Sequence, residues 1–213
     1  MSNKILYLIF VGFISFSCNH ENVKNTNPKI VEDMTNSTID SHTLSNYKDV
    51  SIEHSHLNLS VDFESKLLYG SVTHSINNPS KDSIFILDTK YLSIESVSDQ
   101  DENKLDFSYG KKDDLLGDPL LVSINANTKK VTIKYSTTTQ SEALDWLNAE
   151  QTAGKEFPFM YTQGQSIFTR SWIPIQDSPG LRISYSADIT VPKGMLPVMS
   201  AANPQVKNKT NTY

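Results

Sequence analysis

From Tyr47 onward the chain alternates apolar and polar positions with a period of two, the pattern of strands with one face in a core and the other in water. Over residues 52–63, Leu57, Leu59, Val61 and Phe63 alternate with His56, Asn58, Ser60 and Asp62. Residues 67–76 repeat the pattern, with Gly70 placed for a bulge, and Asn77-Asn78-Pro79-Ser80 supplies turn chemistry behind them. Further strands are predicted at 83–87, 92–97, 105–109, 120–124, 130–135, 157–173 and 181–191. In the last of these, Leu181, Ile183, Tyr185, Ala187, Ile189 and Val191 share one face. Residues 141–150 predict one irregular turn carrying Trp146. No stretch sustains apolar residues at i, i+3, i+4 and i+7, so the predicted fold class is all-β, a sandwich or a large twisted sheet.

Residues 19–45 interrupt this pattern. They are rich in Asn, Ser, Thr, Asp and Lys, bury too little to offset the entropy of ordering, and predict a flexible polar linker ahead of a domain at 46–213. Before the linker, Lys4 precedes an apolar run over residues 5–16. That run fits the ~7–15 residues of a secretory signal core and falls short of the ~20 needed to span a bilayer. Cys18 closes it, behind Ser17 and ahead of polar Asn19, His20 and Glu21. The arrangement is similar to a bacterial lipoprotein signal peptide at residues 1–18, with Cys18 as the lipid-attachment residue. Position 15 is Ser, where such sites usually carry an aliphatic residue. An ordinary secretory signal and an uncleaved anchor are the alternatives. All three export the chain, to the periplasm or the cell surface. Two acyl chains on Cys18 would make anchoring stable, at ~0.8 kcal/mol per buried CH₂.

Composition narrows the function classes. The net charge of −5 argues against a nucleic-acid binder, and a single cysteine allows no intrachain disulfide. The zinc-peptidase motif H-E-x-x-H puts two His one helical turn apart. His20-Glu21-Asn22-Val23-Lys24 begins that way but ends in Lys. His54-Ser55-His56 sets two imidazoles on one strand face, and His74 could pair nearby. Structural or catalytic zinc takes three or four protein ligands, so the plain expectation is exposed strand histidines, with a His54/His56 metal module as a minor alternative. There is no G-x-S-x-G, no P-loop and no G-x-G-x-x-G.

One long segment carries more. Ala143-Leu144-Asp145-Trp146-Leu147-Asn148-Ala149-Glu150-Gln151-Thr152-Ala153-Gly154-Lys155-Glu156 runs into Pro158-Phe159-Met160-Tyr161-Thr162-Gln163-Gly164-Gln165, then Arg170-Ser171-Trp172-Ile173-Pro174-Ile175-Gln176-Asp177-Ser178-Pro179-Gly180. Upstream, Ser60-Val61-Asp62-Phe63, Leu68-Tyr69-Gly70 and Leu87-Asp88-Thr89-Lys90 follow in order. Over residues 46–205 the chain resembles the N-terminal β domain of the leukotriene A(4) hydrolase and aminopeptidase N family of zinc metallo-aminopeptidases.

The resemblance implies a saddle-like, mostly antiparallel β domain that packs beside a thermolysin-like catalytic domain. That second domain supplies H-E-x-x-H, a downstream Glu and a G-x-M-E-N segment. None of these is present here, and Gly194-Met195-Leu196 lacks the acidic residue. The expectation is therefore a C-terminally incomplete β domain, inactive alone, with no cofactor of its own. Zinc is implied for the full-length family member. The family's Q-x-Q loop meets the amino end of a peptide substrate, which places Gln163, Gly164 and Gln165 in that role. A Gln carbonyl can accept from an ammonium and its NH₂ can donate to a peptide carbonyl, without the desolvation cost of another carboxylate. A strand-end turn with no ligand is the plainer alternative for this loop. Trp172, Pro174 and Asp177-Ser178-Pro179 are expected to pack and turn the chain behind it. The other whole-chain reading is a stand-alone lipid-anchored β-sandwich that binds peptides.

Overall fold

The computed structural model describes residues 40–207 and 210–213. The expected signal peptide, Cys18 and residues 19–39 of the linker lie outside the described residues.

Ten strands form the described part. They are β1 (Ser51–Asp62), β2 (Leu67–Asn77), β3 (Ile84–Leu87), β4 (Leu92–Asp99), β5 (Phe107–Tyr109), β6 (Leu120–Ser123), β7 (Lys130–Thr137), β8 (Leu144–Leu147), β9 (Phe159–Thr162) and β10 (Ser184–Thr190). The main sheet runs β10-β1-β2-β7-β4, a second runs β3-β6-β5, and β8-β9 make a separate hairpin. Every pairing between these strands is antiparallel except β1 with β10. The architecture is all-β, as the alternation predicts, and open and mostly antiparallel, as the resemblance implies.

Burial follows the period. Leu57 and Leu59 of β1, Val72 of β2 and Ile133 of β7 point into one core with Phe85 and Leu87 of β3 and Leu120 and Val122 of β6. The inner faces of both sheets thus fill a common interior, and each fully buried aliphatic side chain contributes about 1.5–3 kcal/mol of transfer free energy.

The structure corrects several expectations. Gly70 is not a bulge. It sits in regular register opposite Leu59, and the β1 irregularity falls between Ile52 and His54. What demands glycine is a φ of +145° and a close approach, since a Cβ would lie 2.1 Å from the Asn58 carbonyl oxygen. Residues 141–150 are not one turn, because Leu144–Leu147 forms β8 against β9. There Trp146 meets Phe63 edge-on at 5.4 Å. Residues 157–173 are not one strand. β9 stops at Thr162, and a 3-10 turn, Thr169–Ser171, follows.

Residues 40–45, polar enough to read as linker, are tied to the domain. The Thr43 hydroxyl donates to the buried Asp88 carboxylate, and the Leu44 N–H donates to its other oxygen at 2.7 Å. Asn46 then brackets β3, donating to the Ile84 carbonyl at 2.8 Å and accepting from Ile86 N–H at 2.9 Å. Composition could not show this, because here the polar side chains satisfy buried groups instead of facing water.

Candidate functional site

β9 delivers the chain to the loop. Gln163 N–H donates to the Ala143 carbonyl at 2.9 Å, prolonging the hairpin by one residue. Phe168 N–H then donates to the Gly164 carbonyl at 2.9 Å and closes a tight loop. Buried Ile167 pins the loop from below, while Gln163 and Gln165 stay exposed at its tip. A Cβ on Gly164 would stand 2.6 Å from Thr169 Oγ1, so the loop lies hard against the 3-10 turn.

An open cleft of about 430 Å³ runs beside this loop. Gly164, Gln165 and Thr169 form one wall; Gln176, Ser178 and Ile183 belong to the other. The structure therefore brings Gly164 and Gln165 to the cleft. Gln163 is next to it without lining it, and its side-chain oxygen accepts from Gln165 N–H at 3.4 Å. Thr169 and Ile183 went unread in the sequence, where each looks like one more residue of a strand.

A buried charge cluster stiffens the cleft from behind. Arg170 Nε donates to Asp177 at 3.2 Å, and its other nitrogens donate to the carbonyls of Leu116 at 2.9 Å, His42 at 2.5 Å and Asp177 at 2.7 Å. Asp88 lies 3.7 Å from the same guanidinium and accepts Asp177 N–H at 2.9 Å. Burial pushes both carboxyls above the ordinary range, against the pull of Arg170. Asp40 is held below its ordinary range, chiefly by the Ser178 hydroxyl that donates to it.

Trp172 and Pro174 have the structural places expected of them. Tyr135 O–H donates to the Trp172 carbonyl at 3.0 Å, and His74 Nε2 donates to the Pro174 carbonyl at 2.8 Å. His74 Nδ1 accepts from Ser55 Oγ at 2.9 Å. Desolvation holds this buried imidazole down at about 4. His74 does not pair with His54 or His56. The register sets it opposite Ser55, on the face away from them. Among the described residues no three His, Cys, Asp or Glu side chains converge as a metal cage. The donor set for a catalytic zinc is not found there.

Together these elements make an open, mostly antiparallel β domain with a glutamine-tipped loop beside a cleft. The Peptidase M1 N-terminal domain model matches residues 44–213, and the chain belongs to that family. Leucine aminopeptidase 2 of Yarrowia lipolytica is 37% identical over 153 residues, covering 70% of this chain and 24% of that protein. Leukotriene A-4 hydrolase of Xenopus laevis is 36% identical over 157 residues, covering 70% and 26%. The chain thus spans about a quarter of the length of the curated relatives it matches. The structure of native yeast LTA4 hydrolase matches with a TM-score of 0.74 at 35% identity, covering 84% of this chain and 28% of that one. An M1 zinc metallopeptidase from Deinococcus radiodurans, bound to a Tyr-Ser-Ala substrate, shares the fold with a TM-score of 0.53 at 18% identity, covering 73% and 37%.

Proposed function

We propose that this chain is the substrate-framing N-terminal domain of an exported, zinc-dependent aminopeptidase that removes residues from the amino ends of peptides. The observation that carries the reading is the exposed Gln163-Gly164-Gln165 tip, two of whose residues line an open cleft. Gln165 offers a carbonyl to an ammonium and an NH₂ to a peptide carbonyl, and Gln163, two residues before it, accepts its backbone N–H. Arg170 and Asp177 hold the walls in place. The zinc and the groups that cut the peptide belong to a further thermolysin-like domain, so this chain frames without cleaving. Export and a lipid tether through Cys18 complete the proposal. When the chain is expressed in a bacterium, labelled palmitate should enter the wild type and not Cys18→Ala.

The framing role is tested on the chain itself. A tripeptide with a free amine, titrated into isotopically labelled protein, should shift the side-chain amide resonances of Gln165. The same peptide acetylated at its amine should shift them at least tenfold less at equal concentration. Equal shifts from both peptides, or none from either, would overturn the reading.

A further inference from the structure

Asp177 carries an oxygen that the fold leaves unused. Its Oδ2 accepts Arg170 N–H at 3.0 Å and Arg170 Nε–H at 3.2 Å. Its Oδ1 accepts no hydrogen bond among the described residues, although the side chain is only 9% exposed. Among the described residues the side-chain polar atom sealed from solvent without a partner is Trp172 Nε1, so Asp177 Oδ1 reaches solvent. Asp177 lines the cleft beside the glutamine loop, which gives that oxygen its outlet. Asp88, by contrast, is fully engaged. Its Oδ1 accepts Leu44 N–H at 2.7 Å, and its Oδ2 accepts the Thr43 hydroxyl and, at 2.9 Å, Asp177 N–H.

Charge does not balance around the free oxygen. Asp88 and Asp177 share one guanidinium, Arg170, which leaves one negative charge in excess among these buried groups. Lys90, the other buried cation among the described residues, is taken by Glu142 at 2.9 Å. Asp40, bonded to the Ser178 hydroxyl, adds a further carboxylate close by. An uncompensated charge held away from water is costly, so a cation arriving through the cleft is favoured at Asp177 Oδ1.

The cleft selects the form of that cation. Gln165 stands exposed at the rim, where the framing role places the amino end of a peptide. Ile175, Leu181 and Ile183 line the same cleft. They offer apolar surface on which a methylene stem packs while its charged head reaches an acceptor. The volume of about 430 Å³ falls within the ~300–1,000 Å³ of ligand pockets. One carboxylate oxygen is free, not two. A guanidinium pairs best with a carboxylate through two parallel bonds, whereas a lysine ammonium is a compact point charge that a single oxygen can receive.

We infer that the cleft takes the lysine side chain of a peptide's first residue, with Asp177 Oδ1 as acceptor for the ammonium and Ile175, Leu181 and Ile183 along the stem. The inference rests on the framing role of Gln165 and adds a preference for charge that neutral glutamines cannot supply.

The test uses the full chain labelled with ¹⁵N and ¹³C, and three tripeptides with free amines that differ only in the first residue: lysine, arginine or the uncharged analogue norleucine. At neutral pH the lysine peptide should bind at least about tenfold more tightly than the norleucine peptide, with arginine between them. All three should shift the Gln165 side-chain amide. The lysine peptide should also shift the Asp177 carboxyl carbon, and the norleucine peptide should leave it in place. In Asp177→Asn, shown to be folded by circular dichroism, the advantage of lysine should disappear. Should that variant not fold, the carboxyl resonance of the wild type decides. Equal affinity for the lysine and norleucine peptides, a tighter arginine peptide, or an Asp177 carbon unmoved by lysine would overturn the inference, and the framing role survives any of these if the Gln165 amide still shifts. No Gln165 shift from any peptide overturns both.

Discussion

Arg170 and Asp177, seven residues apart, clasp the turn behind the glutamine loop. Arg170 Nε donates to the Asp177 carboxylate at 3.2 Å, its backbone N–H donates to the same oxygen at 3.0 Å, and neither side chain is more than 9% exposed. A buried ion pair of this kind is a weak source of net stability, but it cannot be broken on one side cheaply.

Arg170→Met removes the only cation beside Asp88 and Asp177 among the contacts described, leaving two buried carboxylates uncompensated. We expect a loss of about 3–5 kcal/mol in urea unfolding near neutral pH. The loss should shrink as the pH falls, because carboxyls already raised by burial then take up protons.

His74 gives stability a second dependence on pH, of opposite sign. Its folded value of about 4 lies below the ordinary 6.5, so between the two the unfolded chain binds more protons. Stability therefore rises with pH across that window and is lost as pH falls from 6.5 toward 4, by an amount on the order of 3 kcal/mol at full effect. Asp88 and Asp177, raised by burial, work against this slope near its acid end. Subtracting the unfolding profile of His74→Gln from that of the wild type isolates the histidine, and the difference should grow between pH 4 and 6.5 and stay flat above.

Glycine substitutions separate close approach from open surface. Gly70→Ala forces a Cβ onto the Asn58 carbonyl at a positive φ, and a loss of at least about 3 kcal/mol is expected. Gly154, with nothing within 4 Å of its Cβ position, should accept Ala within about 0.5 kcal/mol. Thermal melts of the two variants check this contrast.

Period-two alternation made the core strands legible, because Leu57, Leu59, Ile189 and their neighbours reveal a face whatever the fold. A period names a face and not a partner, so the parallel pairing of β10 with β1 was not readable. β8 and β9 have four residues each, too few to show a period around Asp145 and Trp146. Residues 157–173 read as one strand because the carbonyl partners of Arg170 at Leu116 and His42 lie far away in sequence, so the pattern could not show the 3-10 turn, Thr169–Ser171, built around that buried side chain. For the same reason Thr43 read as linker. The glutamine loop itself was visible only through the resemblance to a family. Nothing in the polarity of Gln163 or Gln165 separates a ligand-binding amide from a surface one. The histidine at 74 looked available to His54 and His56 until the register placed it on the other face.

The most direct measurement is peptide hydrolysis by the whole gene product carrying Gln163→Ala and Gln165→Ala together, on a substrate with a free N-terminal residue. If the loop frames the amino end of the substrate, kcat/KM should fall at least tenfold with the melting temperature unchanged, since both side chains are exposed. An unchanged kcat/KM in a folded double variant would contradict the account.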